Sequence, residues 1–356
     1  MLTNILKNTI PSYDLEKERD RWNQFLTIRN QPKPKINQTP KQAVWKKNKA
    51  TLWYYPAVEK KYDIPIFFVF SLMNRAYILD LAPGTSTIES LVNEGYDVYL
   101  LDWGIPGHED KDLNLEDYVE NYIKKGVQRA LRHSGAKEIS LVGYCLGGVL
   151  ASLYASIAEE PIKNLVAITI PIDYSVSVAP DSWSKAFKNG SLNLDRFIDV
   201  NGLVPAKFIE TMVKGIVGPI AFTSKVSLLN NAHNKGFVEK WRLMDHWLYD
   251  QIPVSGGAFR QLFNDIVKDN KIVKGEFTVH GKNADLSNIK ANLLVITSKN
   301  DTLVREEQTR PIMELVSSED KTYQLLEAGH INIALTGKLA GELIPWLATR
   351  SDLRQG

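Results

Sequence analysis

The only cysteine of this 356-residue chain, Cys145, stands at the centre of Gly143-Tyr144-Cys145-Leu146-Gly147. A thiol in such a setting can act as a nucleophile if it tops a sharp strand-to-helix turn. The turn lifts the side chain above the sheet edge, and the flanking glycines leave room for a tight backbone. The neighbouring segments supply that context. Glu138-Ile139-Ser140-Leu141-Val142 reads as a buried strand, and Gly148-Val149-Leu150-Ala151-Ser152-Leu153-Tyr154-Ala155 reads as the start of a buried helix. A lone cysteine is more often a packed structural residue, but the strand–turn–helix frame favours the nucleophile here.

A thiol near its ordinary pKa is mostly protonated at neutral pH, so a base must assist it. His330 and Asp301 follow Cys145 in the order nucleophile, acid, histidine, each just beyond a late strand. Both are therefore expected at the sheet edge that presents the thiol. His108 and His133 precede Cys145, and His233, His246 and His280 fall in polar loops or in an insertion, so none fits the order. Asp102 also follows a strand but comes too early, and is expected to shape a turn. An oxyanion formed at the acyl carbon needs two backbone donors. One is the amide of Leu146, and the other is the amide of Met73 or Leu72 in Ser71-Leu72-Met73-Asn74-Arg75. No cysteine pair, H-E-x-x-H motif or phosphate-binding glycine loop occurs, so neither a metal nor a nucleotide cofactor is expected.

The elements that must carry these residues alternate from residue 51 onward. Strands are expected over 51–55, 64–70, 97–101, 138–142, 165–170, 291–298 and 322–326. Helices are expected over 87–94, over 115–133 after an Asn114 cap, and over 339–349 around Pro345. Apolar runs bare of polar residues suit strands covered on both faces. Residues 174–287 break the rhythm with helical patterns punctuated by Pro180, Gly190, Gly202, Pro205, Gly215, Pro219 and Pro253. The predicted class is therefore α/β, an α/β-hydrolase fold with a mostly parallel sheet, helices on both faces and an inserted helical cap. The expected organisation is an N-terminal helix and Lys/Pro-rich arm over 1–50, a core over 51–173 and 288–356, and a cap over 174–287. Within the first segment, 12–30 reads as an exposed helix with a stripe of Leu15, Trp22 and Phe25. Residues 31–50, with three prolines and six lysines, read as an extended solvated arm.

Bulk composition narrows the function. Apolar residues make up 44% of the chain, enough for a large core, and 43 basic against 41 acidic residues leave a net charge of +2. That balance argues against a dedicated nucleic-acid binder. One cysteine forms no internal disulfide, which fits a reducing cytoplasm. Residues 1–10 lack the pattern of a signal peptide, and no apolar run reaches the roughly 18 residues of a membrane span.

Several segments together resemble polyhydroxyalkanoate (polyhydroxybutyrate) synthases. They are Asn74-Arg75-Ala76-Tyr77-Ile78-Leu79-Asp80-Leu81, Gly95-Tyr96-Asp97-Val98-Tyr99-Leu100-Leu101-Asp102-Trp103-Gly104, Gly143-Tyr144-Cys145-Leu146-Gly147-Gly148 and Lys163-Asn164-Leu165-Val166. Phe259-Arg260-Gln261-Leu262-Phe263, Asn300-Asp301-Thr302-Leu303-Val304 and Gly329-His330-Ile331 complete the set. The length resembles the catalytic subunit of the two-subunit synthases (class III/IV) that act on short-chain monomers. The resemblance implies an acyltransferase that polymerises (R)-3-hydroxyacyl-CoA, such as 3-hydroxybutyryl-CoA, with CoA release. It implies Cys145 as nucleophile, His330 as base and Asp301 as third member. It also implies a CoA thioester as substrate rather than cofactor, a growing polyester chain, a small second subunit, a homo-oligomer, and a cytoplasmic location peripheral to polyester granules. Two departures stand out. Ala328 and Asn332 flank Gly329-His330-Ile331 where the family often carries glycines, and Arg305 follows Val304 where it often carries proline.

Sulfur suits this chemistry. A thiolate attacking a thioester exchanges one thioester for another, so the acyl group stays activated for the next attack, whereas a serine ester would lose that activation. Two rival readings share the fold. One is a thiol hydrolase of the dienelactone-hydrolase type that releases free acid. The other is a non-catalytic granule-associated protein.

Overall fold

The chain's computed structural model describes residues 15–29, 31–176, 178, 182, 185–186, 191 and 194–354. Residues 1–14 and 30, and with them the segment read for a signal peptide, lie outside the described residues, as do Pro180 and Gly190.

An eight-stranded sheet organises the core. Its strands are β1 (Gln42–Lys47), β2 (Ala50–Tyr55), β3 (Ile66–Val69), β4 (Val98–Asp102), β5 (Ile139–Tyr144), β6 (Ile162–Ile168), β7 (Asn292–Ser298) and β8 (Lys321–Leu326). They lie in the order β1-β2-β4-β3-β5-β6-β7-β8. β1 and β2 pair antiparallel with their neighbours, and all other pairs are parallel. Every residue of β3 and β5 is buried, as uninterrupted apolar runs covered on both faces require.

The expected strands and helices appear within a few residues of their predicted ends. Helix Thr87–Glu94 starts where the Ser86 hydroxyl accepts from the Glu89 amide, and stops at Gly95 in a left-handed turn of φ 111°. The helix predicted over 115–133 begins with the Asn114 side chain accepting from the Asp117 amide. Its middle, Tyr118–Lys124, is wound as a π-helix, which apolar periodicity did not foretell. One expectation fails. Residues 42–47, read as solvated arm, form the edge strand β1. Their lysines hid the strand pattern, yet charged side chains are what an edge strand carries to discourage further pairing. The stretch before β1 is tied down too, with Thr39 donating its amide (3.2 Å) to the Asp80 carboxylate.

Between β6 and β7 the described residues form helices Leu194–Asn201, Ala206–Asn230, Lys235–Tyr249 and Gly256–Gln261, the last running into the π-helix Leu262–Lys268. The insertion is not wholly helical. Leu203–Val204 pairs antiparallel with Val254–Ser255, and Thr278–Val279 pairs with Lys282–Asn283. No helix among the described residues is long and apolar enough to cross a membrane.

The chain divides into two compact units. Among the described residues, the smaller gathers 15–29 and 31–34 with Gly218–His246. There helix Leu15–Arg29 turns Ile28 onto Leu228 and Val238, with Phe25 and Trp241 packed around them. Phe25 of the predicted stripe is thus engaged, while Trp22 stays 49% exposed. The larger unit, Lys35–Val217 with Trp247–Gly356, holds the sheet and all the residues of the site described next.

Candidate active site

β5 ends at Tyr144, and helix Leu146–Ile157 begins one residue later. The hinge between them is Cys145, at φ 54° and ψ −133°. A non-glycine residue held there costs on the order of 1–3 kcal/mol, sustained by the packing around it. The flanking glycines are sterically required. A Cβ on Gly143 would lie 2.3 Å from the Gly148 Cα, and one on Gly147 would lie 2.4 Å from the Phe70 carbonyl carbon. The Cys145 amide donates to the Ile168 carbonyl of β6 at 2.9 Å, which anchors the turn to the adjacent strand.

The loops after β7 and β8 bring the other two predicted residues to the thiol. The Asp301 side chain is fully buried. Its Oδ1 accepts the amides of Leu303 (2.9 Å) and Val304 (2.8 Å), and its Oδ2 meets His330 Nδ1 at 2.6 Å. The His330 side chain, 9% exposed, shares the cavity wall with Cys145, close enough for the two to interact electrostatically. With Nδ1 turned to the carboxylate, Nε2 is the ring nitrogen that serves the sulfur. Burial acts to lower the imidazole pKa, but the Asp301 carboxylate and negative charge on Cys145 outweigh it and push the pKa up to about 10. Cys145, Asp301 and His330 therefore form one connected group at the C-terminal ends of the strands.

The two residues expected to supply the oxyanion amides line one space. Leu146 and Met73 line a cavity of about 610 Å³ with Cys145 and His330, whereas Leu72 packs into the core. The Met73 amide donates to Ser71 Oγ at 3.3 Å. Three further bonds fasten the Met73 loop region to the end of helix Lys235–Tyr249 and the residues beyond. Asn74 Nδ2 donates to Gln251 Oε1 (2.9 Å), the Tyr77 hydroxyl to Asp250 Oδ2 (3.0 Å), and Trp247 Nε1 to the Arg75 carbonyl (2.7 Å). Most of the cavity wall is apolar, with Phe70, Ile78, Ile209, Met212 and Trp247 among its residues.

The set-aside candidates fall elsewhere. Asp102 Oδ1 accepts the Gly104 amide at 3.0 Å, the turn-forming role expected of it. His133 Nδ1 pairs with the Tyr99 hydroxyl at 2.7 Å, His280 lies beside Glu116 and Asp117, and His108 lines a separate polar cleft. His233 and His246 belong to the smaller unit. Among the described residues no cluster of three His, Cys, Asp or Glu side chains is placed to hold a metal ion.

Sequence reasoning missed two tyrosines. Tyr144 is fully buried and donates its hydroxyl to the His330 backbone carbonyl, with the two rings edge-to-face at 5.6 Å. Its place beside the nucleophile was the available signal. Tyr174 lines the cavity from the loop after β6, and nothing in its local pattern marked it.

Comparison with known proteins agrees with this architecture. A family model described as alpha/beta hydrolase fold matches residues 80–201. Among solved structures, the chain is similar to the monoacylglycerol lipase of Paleococcus ferrophilus (TM-score 0.51, 17% identity, 84% of this chain and 99% of that one). It is also similar to MenH from S. aureus (TM-score 0.52, 17% identity, 84% and 98%). At that identity the likeness speaks for the fold alone, and fold and site together define an α/β-hydrolase-fold protein with a thiol at its elbow. Among curated proteins, the poly(3-hydroxyalkanoate) polymerase subunit PhaC of Haloferax mediterranei is 34% identical over 326 residues, 89% of this chain and 65% of that protein. The corresponding subunit of Haloarcula marismortui is 32% identical (89% and 69%), and that of Allochromatium vinosum 30% identical (88% and 89%). The chain belongs to the poly(3-hydroxyalkanoate) polymerase subunit PhaC family.

Proposed function

We propose that the chain polymerises (R)-3-hydroxyacyl-CoA, 3-hydroxybutyryl-CoA in the first instance, into poly(3-hydroxyalkanoate), with Cys145 as acyl carrier. The observation that carries the reading is the bonded pair Asp301–His330 beside Cys145, opening into an apolar cavity. The names of the relatives support the substrate class.

In the first half-reaction the thiol proton passes to His330 Nε2 as the sulfur attacks the thioester carbon. The new C–S bond forms, the bond to the CoA sulfur breaks, and the imidazolium returns the proton to the departing thiolate. The Asp301 carboxylate, bonded to Nδ1, stabilises the imidazolium while it holds that proton. In the second half-reaction a chain-end hydroxyl attacks the Cys145 thioester. Its proton goes to His330, the ester C–O bond forms, and the Cys145 thiolate leaves and regains a proton. Leu146 and Met73 are assigned as amide donors to the oxyanion of both steps. Asp301 is assigned to orient the ring rather than to contact the hydroxyl, because two amides and the imidazole already occupy its buried oxygens. The apolar wall serves to keep water from the thioester. A small second subunit, a homo-oligomeric state and a position at the granule surface belong to the same proposal.

Incubation with 3-hydroxybutyryl-CoA, with and without a candidate small subunit, tests it. CoA release with insoluble polyester is expected, and Cys145→Ala should lower the rate by ~10³-fold or more. Soluble 3-hydroxybutyrate as sole product would favour the hydrolase instead, and undiminished turnover by Cys145→Ala would remove the nucleophile assignment.

A further inference from the structure

The loop after β6 brings Tyr174 into the wall of the cavity that holds Cys145 and His330. The loop is well fixed. The Tyr174 amide donates to Asn270 Oδ1 (3.2 Å), Asn270 Nδ2 donates to Asp173 Oδ1 (2.8 Å), and the amides of Ile172 and Asp173 both donate to the Gln308 carbonyl (3.0 Å each). The phenolic hydroxyl, in contrast, has no hydrogen-bond partner among the described residues. A hydroxyl that lines the cavity and is committed to no protein acceptor is free to bond a polar atom supplied by a ligand. It is also a permanent donor at neutral pH. Burial, and then negative charge at Cys145, hold the phenol above its ordinary range.

The strand order decides which substrate atom it can serve. β3, whose following loop carries Met73, lies on one side of β5, and β6, whose following loop carries Tyr174, lies on the other. The thioester oxygen belongs on the Met73 and Leu146 side. The acyl chain then leaves the carbonyl carbon toward the opposite side, and its first polar atom is the 3-hydroxyl oxygen. We infer that the Tyr174 hydroxyl hydrogen-bonds the 3-hydroxyl oxygen of the acyl group held at Cys145, and so selects 3-hydroxyacyl over plain acyl thioesters. The inference rests on the acyl-transfer reading and deepens it. A hydroxyl buried against this wall without a partner would weaken binding, so the contact converts a liability of the substrate into recognition.

The test compares acylation of the full-length protein, with the small subunit present, by 3-hydroxybutyryl-CoA and by butyryl-CoA. CoA release is followed in a single turnover, so that chain growth does not enter. Tyr174→Phe removes one oxygen and keeps the ring. It should slow acylation by 3-hydroxybutyryl-CoA about three- to tenfold, the factor expected of one neutral hydrogen bond, and slow butyryl-CoA less than about twofold. An equal loss on both thioesters, or no loss on either, would overturn the inference. The wild-type protein separates the two failures. If it releases CoA from neither thioester, the acyl-transfer reading falls and this inference falls with it. If it releases CoA but the variant does not discriminate, only the role of Tyr174 is lost.

Discussion

The floor and the roof of the cavity are held by different means. Cys145, Asp301 and His330 sit on the ends of β5, β7 and β8, and the first of these strands is buried along its whole length. The roof residues, Ile209, Met212 and Trp247 among them, come from the larger unit's part of the insertion between β6 and β7, and a short series of side-chain bonds at Asn74, Arg75 and Tyr77 ties this part to the loop beyond β3. The floor therefore resists displacement through close packing of the sheet, whereas the roof adds to its own apolar packing a set of bonds each worth about 1 kcal/mol. A polymerase of growing chains benefits from that division, because the reacting atoms must stay in register while the space above them changes occupant.

Substitutions can break the comparison, beginning with the floor. Cys145→Ser keeps the elbow backbone but forms an oxygen ester at the first step. Polymer formation should fall by ~10²-fold or more while a single acyl group remains attached, which intact-protein mass measurement would detect. Gly147→Ala drives a Cβ into the Phe70 backbone and should destabilise the fold by about 2 kcal/mol or more, read as a lowered denaturant midpoint.

Asp301→Asn comes next. CoA release should drop by about 10²–10⁴-fold. The same variant carries a pH signature. His330 binds its proton more tightly folded than unfolded, so its contribution to stability is fully present below the unfolded pKa of about 6.5 and is lost as pH rises through about 10. The thermal midpoint of the wild-type protein should therefore decline across that window, and Asp301→Asn should flatten the decline. An unchanged slope would mean that the carboxylate does not govern the ring. The roof yields the smallest effect. Tyr77→Phe removes one tether and should reduce CoA release only a few-fold, with a stability loss of about 1 kcal/mol. A loss as large as that of Asp301→Asn would place the roof on the same footing as the floor.

What was legible in the sequence follows the same line. The elbow could be read because its requirements are local: two positions that accept no Cβ, and an apolar strand on one side. Asp301 and His330 could be read because each follows a strand with a clear apolar run. The β1 strand could not, since its lysines obey the logic of an exposed edge rather than that of a pleated, half-buried strand. The π-helical turn at Tyr118–Lys124 escaped because its apolar spacing barely differs from that of an α-helix. Tyr174 lies in a loop without periodicity, and only its place in the cavity wall gives it meaning.

The bond from the Tyr144 hydroxyl to the His330 carbonyl has a mechanical consequence. β5 and β8 are separated in the sheet by β6 and β7, so thermal breathing of those strands could pull sulfur and imidazole apart. A phenol anchored immediately before the sulfur and reaching the backbone of the imidazole residue works as a strut between them. Both ends of the proton path then travel together as the sheet flexes.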